Sequence, residues 1–440
     1  MKRACLFLFC IITFFNARAL DYVSDTAAVP GAATLHRTMK KVTDVIVHDI
    51  YSPPVASRIY AYVSIAGYEA AISGNNQYRS FAGRLHGLSS LPKPTAGLAY
   101  SNELAAVHAM LLVAKALVIS EQQVQDFHNA LLQTYSSNMR KDVYEHALTY
   151  GRQVADAVLA WAAKDNYKET RSYAKYAVME DDGSWKPTPP AYIKAIEPHW
   201  GKMRTFLVDS AQQFKPLPAL PFSADSTSAF YKEARAVYTA GVQLDEEQKA
   251  IASFWDCNPF KMNVNGHVMY ATKKISPGGH WINITAVACN KVGYSFVQSA
   301  EAYACVAITL ADAFISCWDE KYRSRVIRPE TYINQYIDEA WMPLLQTPPF
   351  PEYTSGHSVV SAACAVVLTN MFGDNFAYTD STETEFDLAP RSFTSFKQAA
   401  KEAAISRFYG GIHYMPAINN GYDEGEKIGH FIIAAIRTGK

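Results

Sequence analysis

Apolar residues at three- and four-residue spacing, bounded by helix-cap residues, constrain this chain more than any other feature. Val55, Ile59, Val63, Ala66 and Ala70 share one helical face. Ser52 precedes them as an N-cap, Pro53 and Pro54 fill the first turn, and Gly74 ends the run. Similar runs cover Leu98–Ile119, Tyr144–Ala163, Ile282–Trp318, Ser358–Met371, Phe396–Phe408 and Glu424–Arg437. Ser120 with Gln123, and Asp245 with Gln248, have capping-box spacing, and Ser136, Ser137 and Asn138 offer caps for the stretch that follows them. No set of segments alternates apolar and polar residues over several strands, and no repeat is visible. The expected fold class is all-α. Apolar residues are 49% and charged residues 19% of the 440, enough for a large core and against a mainly disordered chain.

Residues 1–19 have the pattern of a secretory signal peptide. Lys2 and Arg3 precede an apolar run from Leu6 to Phe15, and Ala17, Arg18 and Ala19 form an A-x-A site. Export to the periplasm or beyond is therefore expected. Ala302–Trp318 is the nearest thing to a later membrane span, but Asp312 interrupts it, and a buried core helix is the expectation. Prolines at 187–190 and 216–221 read as ordered loops. They suggest an N-terminal helical region, 20–215, and a C-terminal catalytic helical domain, 216–440. Lys+Arg and Asp+Glu are both 41, so no basic field argues for nucleic acid. Beyond the signal segment five cysteines remain, an odd number on apolar stretches, which is no disulfide framework. No C-x-x-C or H-E-x-x-H spacing suggests zinc. The sequence leaves a homo-oligomer open.

Three segments in the last third concentrate chemistry. Lys321 and Arg328 lie seven residues apart, two helical turns, so that both could face one anion. Ser355, Gly356 and His357 immediately precede an apolar helix, whose free N–H groups favour an anion. Arg407 adds a planar donor fork six residues before His413. Each fragment alone is commonplace. Together they offer three cations, backbone donors and two imidazoles to one tetrahedral oxyanion.

The series K-x6-R-P, S-G-H and S-R-x5-H resembles the signature of the vanadium-dependent haloperoxidase and type 2 phosphatidic acid phosphatase superfamily. Weaker likeness at Phe254-Trp255-Asp256 and Pro277 to Trp281 points to soluble, secreted bacterial haloperoxidase relatives. The resemblance implies helical bundles with the site in the core of the C-terminal one. It implies that Lys321, Arg328 and Arg407 bind the oxygens of vanadate or phosphate, with Ser355 and the Gly356 N–H as neutral donors. His413 would be the ligand to vanadium, or the nucleophile of a phosphatase, and His357 the acid–base group. The implied reaction is halide oxidation by hydrogen peroxide with vanadate as cofactor. Phosphomonoester hydrolysis through His413, or non-catalytic oxyanion binding, are the alternatives. A long soluble chain favours the first.

Three positions depart from the pattern. Ile327 stands where many haloperoxidases carry tryptophan before R-P, and Thr354 where phosphatases commonly carry proline. Ala417 stands where an Asp often orients the second histidine. A substitute carboxylate is needed. Asp256 ranks first as a partner of an active-site arginine, ahead of Asp423 and Glu426. His280, beside Trp281, is either at the site mouth or structural.

Overall fold

The computed structural model describes residues 31–265 and 267–438. The expected signal segment, 1–19, lies outside the described residues. Fourteen α-helices, two single-turn 3-10 helices and four short strands account for the regular structure described. The strands form two antiparallel hairpins, 262–265 with 268–271 and 378–380 with 391–393, which the sequence did not suggest.

Helix Phe296–Ser324 is the central pillar. It packs against helices Pro53–Ala71, Pro277–Val292 and Gly356–Phe372, and Gly356–Phe372 packs in turn on Met415–Thr438. It is long and apolar enough to cross a membrane, but 94% of its most apolar window is buried among neighbouring helices. It is thus a core helix. One apolar cluster runs from Leu35 to Ile432 and is continuous across residue 215. A second gathers Phe230, Ile327, Tyr332, Tyr353 and Ala417.

Asp312 shows why a charge is tolerated in that pillar. Its carboxylate is fully buried and accepts the backbone N–H groups of Phe206 (2.6 Å), Leu207 (2.8 Å) and Val208 (3.0 Å). It ties the 206–208 loop to the core helix. Asp312→Ala strands three buried amides, and at 1–3 kcal/mol for an unsatisfied group a loss of about 3 kcal/mol or more is expected. A urea denaturation midpoint measures it; a loss under about 1 kcal/mol would mean that the loop finds other acceptors.

Most expected helices are present, and the differences have local causes. Ser52 accepts from the Val55 N–H, and the Asp245–Gln248 box is fully formed. Ser120 stands at an N-cap but makes no capping bond, because its hydroxyl donates to Asp49. Ser136 and Ser137 do not cap a new helix. Their hydroxyls donate to the Gln133 carbonyl, and the helix runs on to Asn138. The run from Ile282 to Trp318 is two helices, divided where Gly293 takes a left-handed conformation (φ 68°).

Candidate active site

Three chain segments converge at the C-terminal end of the central helix. That helix stops at Ser324, with Arg325 left-handed (φ 54°), so Lys321 and Arg328 do not share a helical face. The chain turns instead, and Arg328 becomes the N-cap of helix Pro329–Tyr336. Both cations still reach the site, through the turn rather than through helical periodicity. The second segment is a strap, 350–355, leading into helix Gly356–Phe372, whose N-cap is Ser355. The third is the connection from helix Phe396–Tyr409 to Met415–Thr438, which carries Arg407 near its start and His413 near its end.

Arg328 is fully buried and braces two of these segments. Its Nε donates to the Phe350 carbonyl (2.9 Å) and Nη1 to the Ile412 carbonyl (2.8 Å). Nη1 also lies 3.1 Å from His413 Nε2, and Nη2 has no partner. Arg407 is likewise buried; its Nη1 donates to the Trp255 carbonyl (2.9 Å) and its Nε is unpartnered. His357 hydrogen-bonds the same Trp255 backbone, while its Nε2 stays free. Gly356 is the first residue of its helix, so its N–H has no intrahelical acceptor. Ser355 Oγ accepts from Ser358 N (3.3 Å) and keeps its own proton to donate.

Lys321 differs from expectation. Its ammonium donates to the carbonyls of Pro351 (3.0 Å), Glu352 (3.1 Å) and Thr354 (2.5 Å). An ammonium has three donors, and all three hold the strap. In this structure Lys321 shapes the Ser355–His357 corner and adds charge to it, and a donor to an oxyanion requires the release of one of those bonds.

The substitute for the carboxylate missing at Ala417 is Glu352, which the sequence reading did not consider. Its Oε1 accepts from His413 Nδ1 (2.8 Å) and from the Tyr414 N–H (3.0 Å). Asp256, ranked first, does not touch His413. It pairs with Lys274 (2.6 Å) and acts on Arg407 through its charge. Asp423 is exposed and Glu426 half-buried, and neither bonds His413. At Ala417 only the backbone takes part, its carbonyl accepting from Ser355 N (3.0 Å). A signal was present: Glu352 stands three residues before Ser355, on the same strap.

Thr354 is held by Glu424, which accepts from its hydroxyl (2.9 Å) and from Ser316 (2.8 Å). Ile327 is fully buried in the second apolar cluster and does not line the pocket. Aromatic lining comes from Phe314, Trp318, Phe350 and Phe260. With Gly356, His357, Arg407 and His413 they line a narrow pocket of about 30 Å³. His280 is fully buried and stacked on Trp255 (4.5 Å), behind that pocket.

The electrostatics follow from packing three cations in a dry corner. Burial moves Lys321 down to about 8 and Arg328 to about 10, against the opposing pull of Cys317 and Glu352 respectively, and burial lowers Arg407. Burial first, then Arg328, Lys321 and Arg407, holds His413 well below its ordinary range, and burial with Arg407 does so for His357. Both imidazoles are neutral at pH 7. For His413 the tautomer follows from its partners: Nδ1–H faces the Glu352 carboxylate, so Nε2 carries the lone pair, which accepts from Arg328 Nη1 (3.1 Å), a contact that an oxyanion bound at Nε2 has to displace. A desolvated positive corner, with unpartnered donors on Arg328 and Arg407 beside a neutral Nε2, fits a tetrahedral oxyanion bound through that nitrogen.

Comparison with known proteins agrees with this geometry. Residues 301–438 match the family model of the VCPO second helical-bundle domain. No curated protein gives a significant match. Among solved structures, the first bacterial vanadium-dependent iodoperoxidase is 47% identical, with a TM-score of 0.88 over 93% of this chain and 97% of its own. A bacterial vanadium-dependent chloroperoxidase shares the fold at 16% identity. Its holo form gives a TM-score of 0.66 over 89% of this chain and 93% of its own. Its apo form gives 0.67 over 88% and 94%. A helical fold, an oxyanion corner and near-full-length similarity at this identity place the chain in the bacterial vanadium-dependent haloperoxidases.

Proposed function

We propose that the protein binds vanadate through His413 Nε2 and oxidises iodide with hydrogen peroxide. The observation that carries the reading is the single nitrogen lone pair fixed by Glu352 among buried cations with free donors. Vanadate, once held there, supplies a Lewis-acidic centre that activates hydrogen peroxide toward attack by halide. The chain supplies the rest. Arg328, Arg407 and the Gly356 N–H balance the oxyanion's charge without reorganising. His357 Nε2, neutral and unpartnered, accepts a proton at the oxyanion's edge. Lys321 keeps the strap in register. The aromatic walls exclude water, so a halide must shed hydration to enter, which favours iodide, the least strongly hydrated of the common halides. The 47% identical relative is itself an iodoperoxidase. We place this chemistry outside the cytoplasm, on the basis of the expected signal segment.

The test is iodide and bromide oxidation by apo-protein with orthovanadate added, then with competing phosphate. Vanadate-dependent turnover that phosphate suppresses, faster with iodide, is the expected result. Aryl phosphate hydrolysis without halide oxidation would move the chain to the phosphatases, and neither activity would leave an oxyanion binder. Arg328→Ala and Arg407→Ala each remove a charged donor worth about 1.5–3 kcal/mol, so half-saturation by vanadate should rise about tenfold or more. Titrating activity against vanadate measures it. A change under about twofold in both would remove them from the oxyanion site.

A further inference from the structure

Behind the pocket, Cys257, His280 and Glu383 point three donor atoms at one another. Cys257 Sγ lies 3.4 Å from His280 Nδ1 and 3.9 Å from Glu383 Oε1, and His280 Nδ1 lies 3.2 Å from Glu383 Oε1. All three residues are buried. We propose that this triangle is a binding site for a zinc-like divalent cation.

Zinc takes thiolate at about 2.3 Å, imidazole nitrogen at about 2.0–2.1 Å and carboxylate oxygen at about 2.0–2.2 Å. A tetrahedral arrangement of such bonds has ligand–ligand edges of about 3.3–3.6 Å. The observed triangle needs only small shifts to match.

The histidine is supported from behind. His280 Nε2 bonds Asp380 Oδ2 at 2.8 Å, and the other Asp380 oxygen accepts from Thr382 N (3.0 Å) and Thr382 Oγ1 (2.7 Å). Both ring nitrogens face carboxylates, so a cation would take the place of the Nδ1 proton while Nε2–H stays on Asp380. A carboxylate that fixes a ligand histidine in this way recurs behind protein-bound zinc.

Charge and access also fit. With Cys257 as thiolate, Glu383 and Asp380 complete the negative charge that would offset a dication. Cys257 also lines the pocket, which gives an ion a way in and leaves a fourth coordination position on that side. Binding releases the Cys257 thiol proton and the His280 Nδ1 proton to solvent.

The ligands come from separate parts of the chain: the loop after helix Glu246–Phe254, helix Pro277–Val292, and the turn after strand Tyr378–Asp380. No local motif spacing links positions 257, 280 and 383, which is why the sequence offered no zinc site. The same loop carries Trp255, whose backbone bonds Arg407 and His357. The ion would cross-link the elements that anchor the oxyanion corner.

Cobalt(II) titration of the full chain, stripped with chelator and free of vanadate, tests this without reference to peroxidase activity. One equivalent should give a thiolate-to-cobalt charge-transfer band and tetrahedral d–d bands, both lost on adding zinc. Zinc should raise the thermal midpoint. Cys257→Ser should abolish the charge-transfer band, and Asp380→Asn should keep it while weakening affinity about 10–100-fold. Zinc-edge X-ray absorption of the wild-type chain, which needs no variant to fold, should show one sulfur at about 2.3 Å. Absence of a stoichiometric band, its survival in Cys257→Ser, or a sulfur-free zinc shell would each overturn the site and leave a hydrogen-bonded trio.

Discussion

His413→Ala should reduce vanadate-dependent halide oxidation to background while the protein keeps its fold. The lone pair on Nε2 is the uncharged nitrogen donor that Glu352 fixes among Arg328, Arg407 and Lys321. His357 does not replace it, because its ring is anchored to the Trp255 backbone rather than to Glu352. Fold retention follows from what remains. Arg328 keeps its bonds to the carbonyls of Phe350 and Ile412, and Glu352 keeps the Tyr414 N–H. The lost bond to Glu352 should cost about 1–3 kcal/mol of stability. Circular dichroism melts and turnover on the same preparation separate the two effects. Wild-type activity in His413→Ala would remove this residue, and with it the proposed binding mode, from the chemistry.

Sequence and structure agree most closely where a signal is local. Caps at Ser52 and Asp245, and the apolar faces behind them, are decided within a few residues, so those helices were legible. Gly293 broke an apolar run that composition alone could not divide. Ser120 failed as a cap because Asp49, 71 residues away, competed for its hydroxyl. The candidate site shows the same division. Ser355, Gly356, His357, Arg328, Arg407 and His413 were readable because their order along the chain is distinctive. Lys321 was readable as a site residue but not in its occupation with three carbonyls, since backbone direction in the strap is a tertiary fact. Glu352 and the Cys257–His280–Glu383 triangle depend on contacts spanning 61 residues and 126 residues respectively. Periodicity and motif spacing carry no information at that range.

Glu352 poses the second large prediction, because two opposing effects meet there. Glu352→Gln removes the negative charge that fixes His413 Nδ1–H, and loss of such an orienting carboxylate typically weakens metal binding or activity about 10–100-fold. Burial raises Glu352 to about 7 against the pull of Arg328 and Lys321, so above that pH the substitution also removes a negative charge from a cationic corner. A unit charge some 6–8 Å from an anion, at an effective dielectric of 20, is worth about 2–3 kcal/mol, so the same substitution should attract oxyanions more strongly. The two effects separate by ligand. Phosphate is drawn by charge alone and needs no bond from Nε2, whereas vanadate held as proposed needs that bond. Glu352→Gln should therefore lower turnover about 10–100-fold while phosphate inhibits at the same or a lower concentration. Glu352→Ala should lose more, since it also strands the Tyr414 N–H and frees the ring to rotate. Parallel titrations of vanadate activation and phosphate inhibition decide the matter. If both oxyanions weaken together, Glu352 acts by holding the strap's shape rather than by orienting His413. If both tighten and turnover is retained, the carboxylate is dispensable for aligning the histidine.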